Sequence, residues 1–176
     1  MSEEASSAAD AFGLLSDEVR LAIVEELANY GWNRLEPTGL SFAELRRAVD
    51  VRDAGRFNYH LGELRGTFVA RSGETYHLTN AGWAVAGIVA SGRVGGAALE
   101  REATLDAECP AGDALTATYE DDMLRAECPD HGVTFARRLP SGAVRGRSLE
   151  AALDIAVDDM HADVERALDG VCPHCW

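Results

Sequence analysis

Residues 41–79 carry local signals in an order that few folds accommodate: helix, turn, helix, then a two-stranded ribbon. Ser41 and Glu44 have the spacing of a capping box. In that arrangement the serine oxygen accepts from the amide of Glu44, and the glutamate reaches back to the amide of Ser41. Phe42, Leu45 and Val49 then recur at helical spacing. Val51–Asp53 breaks the pattern, and Asp53 can cap a second helix from Ala54 to about Arg65, with Phe57, Leu61 and Leu64 on its apolar side. Phe68–Arg71, a turn at Ser72–Glu74, and Thr75–Leu78 predict a hairpin.

Two short helices followed by a hairpin make up the winged helix-turn-helix arrangement that reads DNA. A helix fits the major groove, and a short ribbon can rest on the neighbouring backbone. The spacing of the second helix turns Arg56, Asn58, Tyr59 and His60 outward. Arginine can pair with guanine and asparagine with adenine. Arg52 and Arg65 flank this helix, and Arg71 sits on the ribbon where a phosphate contact is expected. These seven are the candidate DNA-binding residues.

Three stretches carry a family likeness: Leu15–Val24, Tyr59–Leu61 with Leu64 and Arg65, and Leu78 and Thr79 with Gly82. Together they resemble an ArsR-type winged helix-turn-helix regulator over roughly residues 10–90. The stretch Gly55–Gly66 is similar to a haloarchaeal branch of those regulators, which often carry a Cys-rich, zinc-binding C-terminal half. The resemblance implies sequence-specific DNA binding, transcription regulation and dimerisation through the first helix. The helical cysteine pair of arsenic-sensing members is absent, since no cysteine precedes Cys109.

Elsewhere in this half, Phe12, Leu15, Val19, Ile23, Leu27 and Tyr30 predict one helix over 10–31, with a candidate cap at Ser16–Glu18 inside its opening and a stop at Gly31. Residues 80–98 read as a helix that is apolar almost all round, with Trp83, Val85, Ile88 and Val89. Such a helix must be buried, either against a second copy or under the C-terminal half. A homodimer through this helix and the first is therefore expected. Domains are expected at 1–92 and 105–176, joined by a glycine-containing linker over 93–104.

Net charge bears directly on a DNA-binding reading. The chain has 176 residues and a net charge of −14, and all 16 of its basic residues are arginine. Abundant acid without lysine resembles proteins adapted to molar salt. Residues 41–83 are nonetheless net +1, the least acidic part of the chain. In molar salt the Debye length is about 3 Å, so long-range repulsion of DNA nearly vanishes. There is no positively charged N-terminal region, and the longest apolar run, ten residues, is too short to span a bilayer. A cytoplasmic protein without membrane contact is expected.

The second half predicts a small hairpin-and-helix unit, so the whole reads as α+β. Strands are expected at Ala114–Tyr119, Met123–Glu127 and Val133–Leu139, and a helix at Leu149–Asp169 capped by Ser148. The chemistry lies in Cys109, Cys128, Cys172 and Cys175. Cys172-Pro173-His174-Cys175 and Cys128-Pro129-Asp130-His131 are two-residue knuckles, and zinc takes four such donors tetrahedrally. The expectation is one structural Zn²⁺ held by the four cysteines, with His131 as a replacement for Cys109 and His174 in reserve. Disulfides, a redox pair and simple core thiols are the rival readings. The sequence has no nucleophile elbow, no phosphate loop and no catalytic zinc motif. No enzyme and no small-molecule substrate are expected. The alternative to a DNA-binding regulator is a protein-interaction adaptor of the transcription machinery.

Overall fold

A computed structural model describes residues 7–32, 39–95 and 98–173. The chain forms two compact units, Met1–Ile88 and Val89–Trp176.

The first unit begins with α1 (Ala8–Leu14) and α2 (Glu18–Gly31). The single helix expected over 10–31 is thus two. The break is local chemistry: Asp17 is extended, and its side chain accepts from the amides of Val19 and Arg20 to start α2. A capping box of Ser7 and Asp10 starts α1. β1 (Leu40–Ser41) leads into α3 (Phe42–Ala48), then α4 (Ala54–Leu64). The box at Ser41 and Glu44 forms as expected, with the Ser41 amide donating to Glu44 Oε2 at 2.9 Å. Asp53 caps α4, its Oδ1 accepting from the Arg56 amide at 2.6 Å.

β2 (Val69–Ser72) and β3 (Thr75–Leu78) form the expected hairpin, and β1 pairs with the other edge of β3. Thr79 closes the sheet onto α5 (Asn80–Ala90): its hydroxyl donates to the Thr67 carbonyl at 2.6 Å and accepts from the Gly82 amide at 3.1 Å. Ile23, Val24, Leu45, Phe57, Leu61, Leu64 and Val69 make the core of this unit. Each fully buried side chain of this kind contributes about 1.5–3 kcal/mol. Phe42 and Phe57 meet edge to face at 5.0 Å.

The helix expected over 80–98 ends at Ala90, where Gly92 takes a left-handed φ of 73°. Its expected all-round burial is not what the first unit provides. Only Gly82 and Ala86 are buried.

The second unit is an antiparallel meander of β4 (Arg101–Glu108), β5 (Ala114–Glu120), β6 (Met123–Cys128) and β7 (Gly132–Arg138). It is followed by α6 (Ser141–Val144) and α7 (Leu149–Leu168). The sheet has one strand more than the sequence reading, because β4 occupies the end of the stretch expected as linker. β4 alternates as a strand should, but Arg101, Ala103 and Leu105 make a weak apolar side, and only Leu105 is buried. α7 packs on β4 and β5 through Leu149, Ala152 and Ala156. Towards the C-terminal end of α7 the apolar side chains are bare, with Leu168 82% exposed. Among the described residues, no helix is long and apolar enough to cross a membrane.

Candidate metal centre and nucleic-acid interface

Two knuckles stand at one end of the four-stranded sheet. The first follows β4. Cys109 is joined to Asp113 by a tight turn: Gly112 donates to the Cys109 carbonyl at 2.8 Å, and the Cys109 amide donates to the Asp113 carbonyl at 2.8 Å. Gly112 has φ 94°, a conformation glycine adopts without a Cβ penalty. The Ala111 amide donates to Cys109 Sγ at 3.3 Å. The second knuckle follows β6 and runs from Cys128 to His131, with Gly132 at φ 72° starting β7. In each knuckle the second donor is the residue just before the next strand.

The donor atoms converge. Asp113 Oδ2 lies 3.4 Å from Cys109 Sγ and 3.8 Å from Cys128 Sγ. His131 Nδ1 lies 3.1 Å from Cys128 Sγ. All four donor atoms fall within 4.8 Å of one another and could hold a metal ion. Both thiols are buried, Asp113 is half-buried and His131 is exposed. The sequence reading found Cys109, Cys128 and His131 and missed Asp113. The missed signal was positional, since Asp113 abuts β5 as His131 abuts β7.

Cys172 is a correction. It is exposed and follows α7, and it is not a member of the cluster. Its neighbour Pro173 lines a cleft with Asp122, Arg138 and Leu139. Those residues adjoin the opposite ends of β6 and β7 from Cys128 and His131, and six residues of strand separate them by about 20 Å. His131 and Cys109 are therefore partners in one cluster rather than alternatives. Cys175 and His174 lie outside the described residues.

In the first unit, α4 buries Phe57, His60, Leu61 and Leu64. Arg56, Asn58 and Tyr59 are exposed on the other side, Tyr59 at 61%. Arg52 precedes the helix and Arg65 caps its end, both exposed. His60 is a second correction. It is 8% exposed and faces inward, its Nδ1 3.3 Å from Asp17 Oδ1. That approach is electrostatic and not a well-aligned hydrogen bond, because Asp17 Oδ1 already accepts two amides and Nδ1 has no aligned partner. Burial pushes the Asp17 carboxyl up, but the amides of Arg20 and Val19 and the nearby His60 and Arg20 hold it below its ordinary value. His60 thus joins α4 to the start of α2 and takes no part in the exposed face. Arg71 is exposed on the hairpin but folded onto its own turn, where Nε donates to the Gly73 carbonyl at 2.9 Å and the guanidinium lies 5.6 Å from the Tyr76 ring centre.

Gly62 is the residue on α4 without a packing reason. A Cβ there would meet nothing within 4 Å. Glycine in a helix interior costs about 1 kcal/mol relative to alanine. The bare backbone lies on the exposed side near Tyr59.

The molecule is therefore an α+β chain of two units, one presenting an arginine-, asparagine- and tyrosine-bearing helix and the other a Cys-Asp-Cys-His cluster. Residues 8–89 match the family model described as Domain of unknown function (DUF7347), and residues 106–176 match the one described as Domain of unknown function (DUF7351). No curated protein and no solved structure matches the chain.

Proposed function

We propose that this protein is a sequence-specific, DNA-binding transcription regulator resembling the ArsR type. The first unit acts as a winged helix-turn-helix, with α3 and α4 as its helix pair and β2–β3 as its wing. The observation that carries the reading is α4. One side is locked into the core by Phe57, Leu61 and Leu64, and the other presents Arg56, Asn58 and Tyr59. A helix held rigidly on one side and polar on the other suits readout of base edges in a major groove. Gly62 lets the backbone approach closely there. The active form is a homodimer through the first helices and α5, which places two copies of α4 in successive major grooves. The second unit holds a structural Zn²⁺.

The test is selection of genomic DNA fragments by the purified protein in about molar KCl, where screening removes non-specific attraction. The expected result is enrichment of two half-sites about one helical turn apart, lost in the Arg56→Ala/Asn58→Ala variant. A folded protein that enriches nothing over the variant overturns the reading. A protein-binding adaptor then becomes the better one, and the net charge of −14 favours it.

A further inference from the structure

We infer that the metal site of the second unit is closed by Asp113, so that residues 109–131 alone supply the four donors: two thiolates, one imidazole and one carboxylate. The inference rests on the zinc reading above and departs from the four-cysteine set expected from the sequence. The geometry carries it. Donors bonded to one zinc at about 2.0–2.3 Å with tetrahedral angles lie roughly 3.3–3.8 Å apart. The Asp113 oxygen sits 3.4 and 3.8 Å from the two sulfurs, at the edge lengths of such a tetrahedron. His131 Nδ1 is 3.1 Å from Cys128 Sγ, slightly inside the range.

The surroundings fit a built site. The two knuckles share an outline, each with a cysteine at a strand end, a left-handed glycine next to the second donor, and that donor where the next strand begins. The Ala111 amide aimed at Cys109 Sγ is the donor a thiolate ligand requires around it. Asp113 is half-buried, and one of its carboxylate oxygens lies within reach of both buried sulfurs. With Zn²⁺ bound, two thiolates, one carboxylate and one neutral imidazole give the set a net charge of −1. The strand register sets the site, since Cys109 and Asp113 close β4 onto β5, while Cys128 and Gly132 pair across β6 and β7. Three donors and an open position would mark a catalytic zinc, whereas four protein donors make this a closed, structural one.

The test is reconstitution of the reduced full chain with Co²⁺ in place of Zn²⁺. The sulfur-to-cobalt charge-transfer band counts thiolate ligands. The wild type is expected to bind one cobalt with the intensity of two thiolates. Cys172→Ser/Cys175→Ser is expected to leave the band unchanged. Asp113→Cys is expected to raise it by about half, as three thiolates replace two in a four-donor set. This variant restores a ligand, so the unit keeps its metal and its fold. A band halved by Cys172→Ser/Cys175→Ser and unmoved by Asp113→Cys overturns Asp113 while leaving metal binding intact. A wild type that takes up no cobalt and no zinc overturns both this inference and the zinc reading.

Discussion

Tyr119 is fully buried on β5, and its hydroxyl oxygen lies 2.8 Å from both Asp122 Oδ1 and the Leu139 carbonyl. Burial first, and the Asp122 carboxylate second, push this phenol well above its ordinary value. It stays neutral and donates at any practical pH. The single hydroxyl proton serves one of these acceptors at a time, so Tyr119→Phe removes one buried hydrogen bond and is expected to lower stability by about 1–3 kcal/mol in urea unfolding. Gly62 tests function separately from stability. Gly62→Ala is expected to stabilise the fold by about 1 kcal/mol. If α4 lies in a groove as proposed, the same change weakens DNA binding, measured as retention of the selected fragment. A more stable variant with unchanged binding would remove Gly62 from the interface. Glu44 gives a pH dependence. The Ser41 hydroxyl and amide hold its carboxyl below the ordinary 4.5, so the folded state prefers the charged form. The contribution is complete above pH 4.5 and is lost as pH falls through the folded value. The stability gap between wild type and Glu44→Ala is therefore expected to narrow on acidification, and a gap independent of pH would show that the box acts without its charge.

Elements inherit these local choices. α4 begins where Asp53 accepts from the Arg56 amide, so Asp53→Ala is expected to cost about 1 kcal/mol and to loosen the first turn that carries Arg56. α5 is set against the sheet by Gly82. A Cβ there would lie 2.2 Å from the Phe68 carbonyl oxygen, which is backbone and cannot swing away. Gly82→Ala is expected to destabilise the first unit by on the order of 1–3 kcal/mol, read as a lower thermal midpoint. α7 is tied to β7 by Arg137, which pairs with Asp159 at 2.7 Å and with Asp163, while Arg166 also reaches Asp163 at 2.9 Å. α7 thus contributes two carboxylates, Asp159 and Asp163, to a bridge across the second unit.

For the whole molecule the net charge of −14 dominates. Self-repulsion of this size is screened as the Debye length drops from about 10 Å at 0.1 M to about 3 Å at 1 M salt. Unfolding temperature is expected to rise with KCl over that range, and a flat response would remove the salt-adapted reading of the composition. The helix caps, the turn between β2 and β3 and the Cys128–His131 knuckle were legible in the sequence. Ser41 with Glu44, Asp53, Ser148 and the Cys128–His131 knuckle all act on groups within four residues, and short-range hydrogen bonds do not wait for the rest of the fold. Even the break between α1 and α2 was marked by the cap signal at Ser16–Glu18, although only the structure showed that Asp17 starts a second helix there. β4, the inward turn of His60 and the ligand position of Asp113 were not legible. β4 has a single strongly apolar core residue and becomes a strand because β5 offers it hydrogen-bond partners. His60 faces inward because α2 places Asp17 beside it, forty-three residues away in the chain. Asp113 meets Cys128 across two strands, so its role depends on a register that composition does not encode. Local bonding determined where the elements start and stop, whereas pairing between distant segments decided which of their side chains meet.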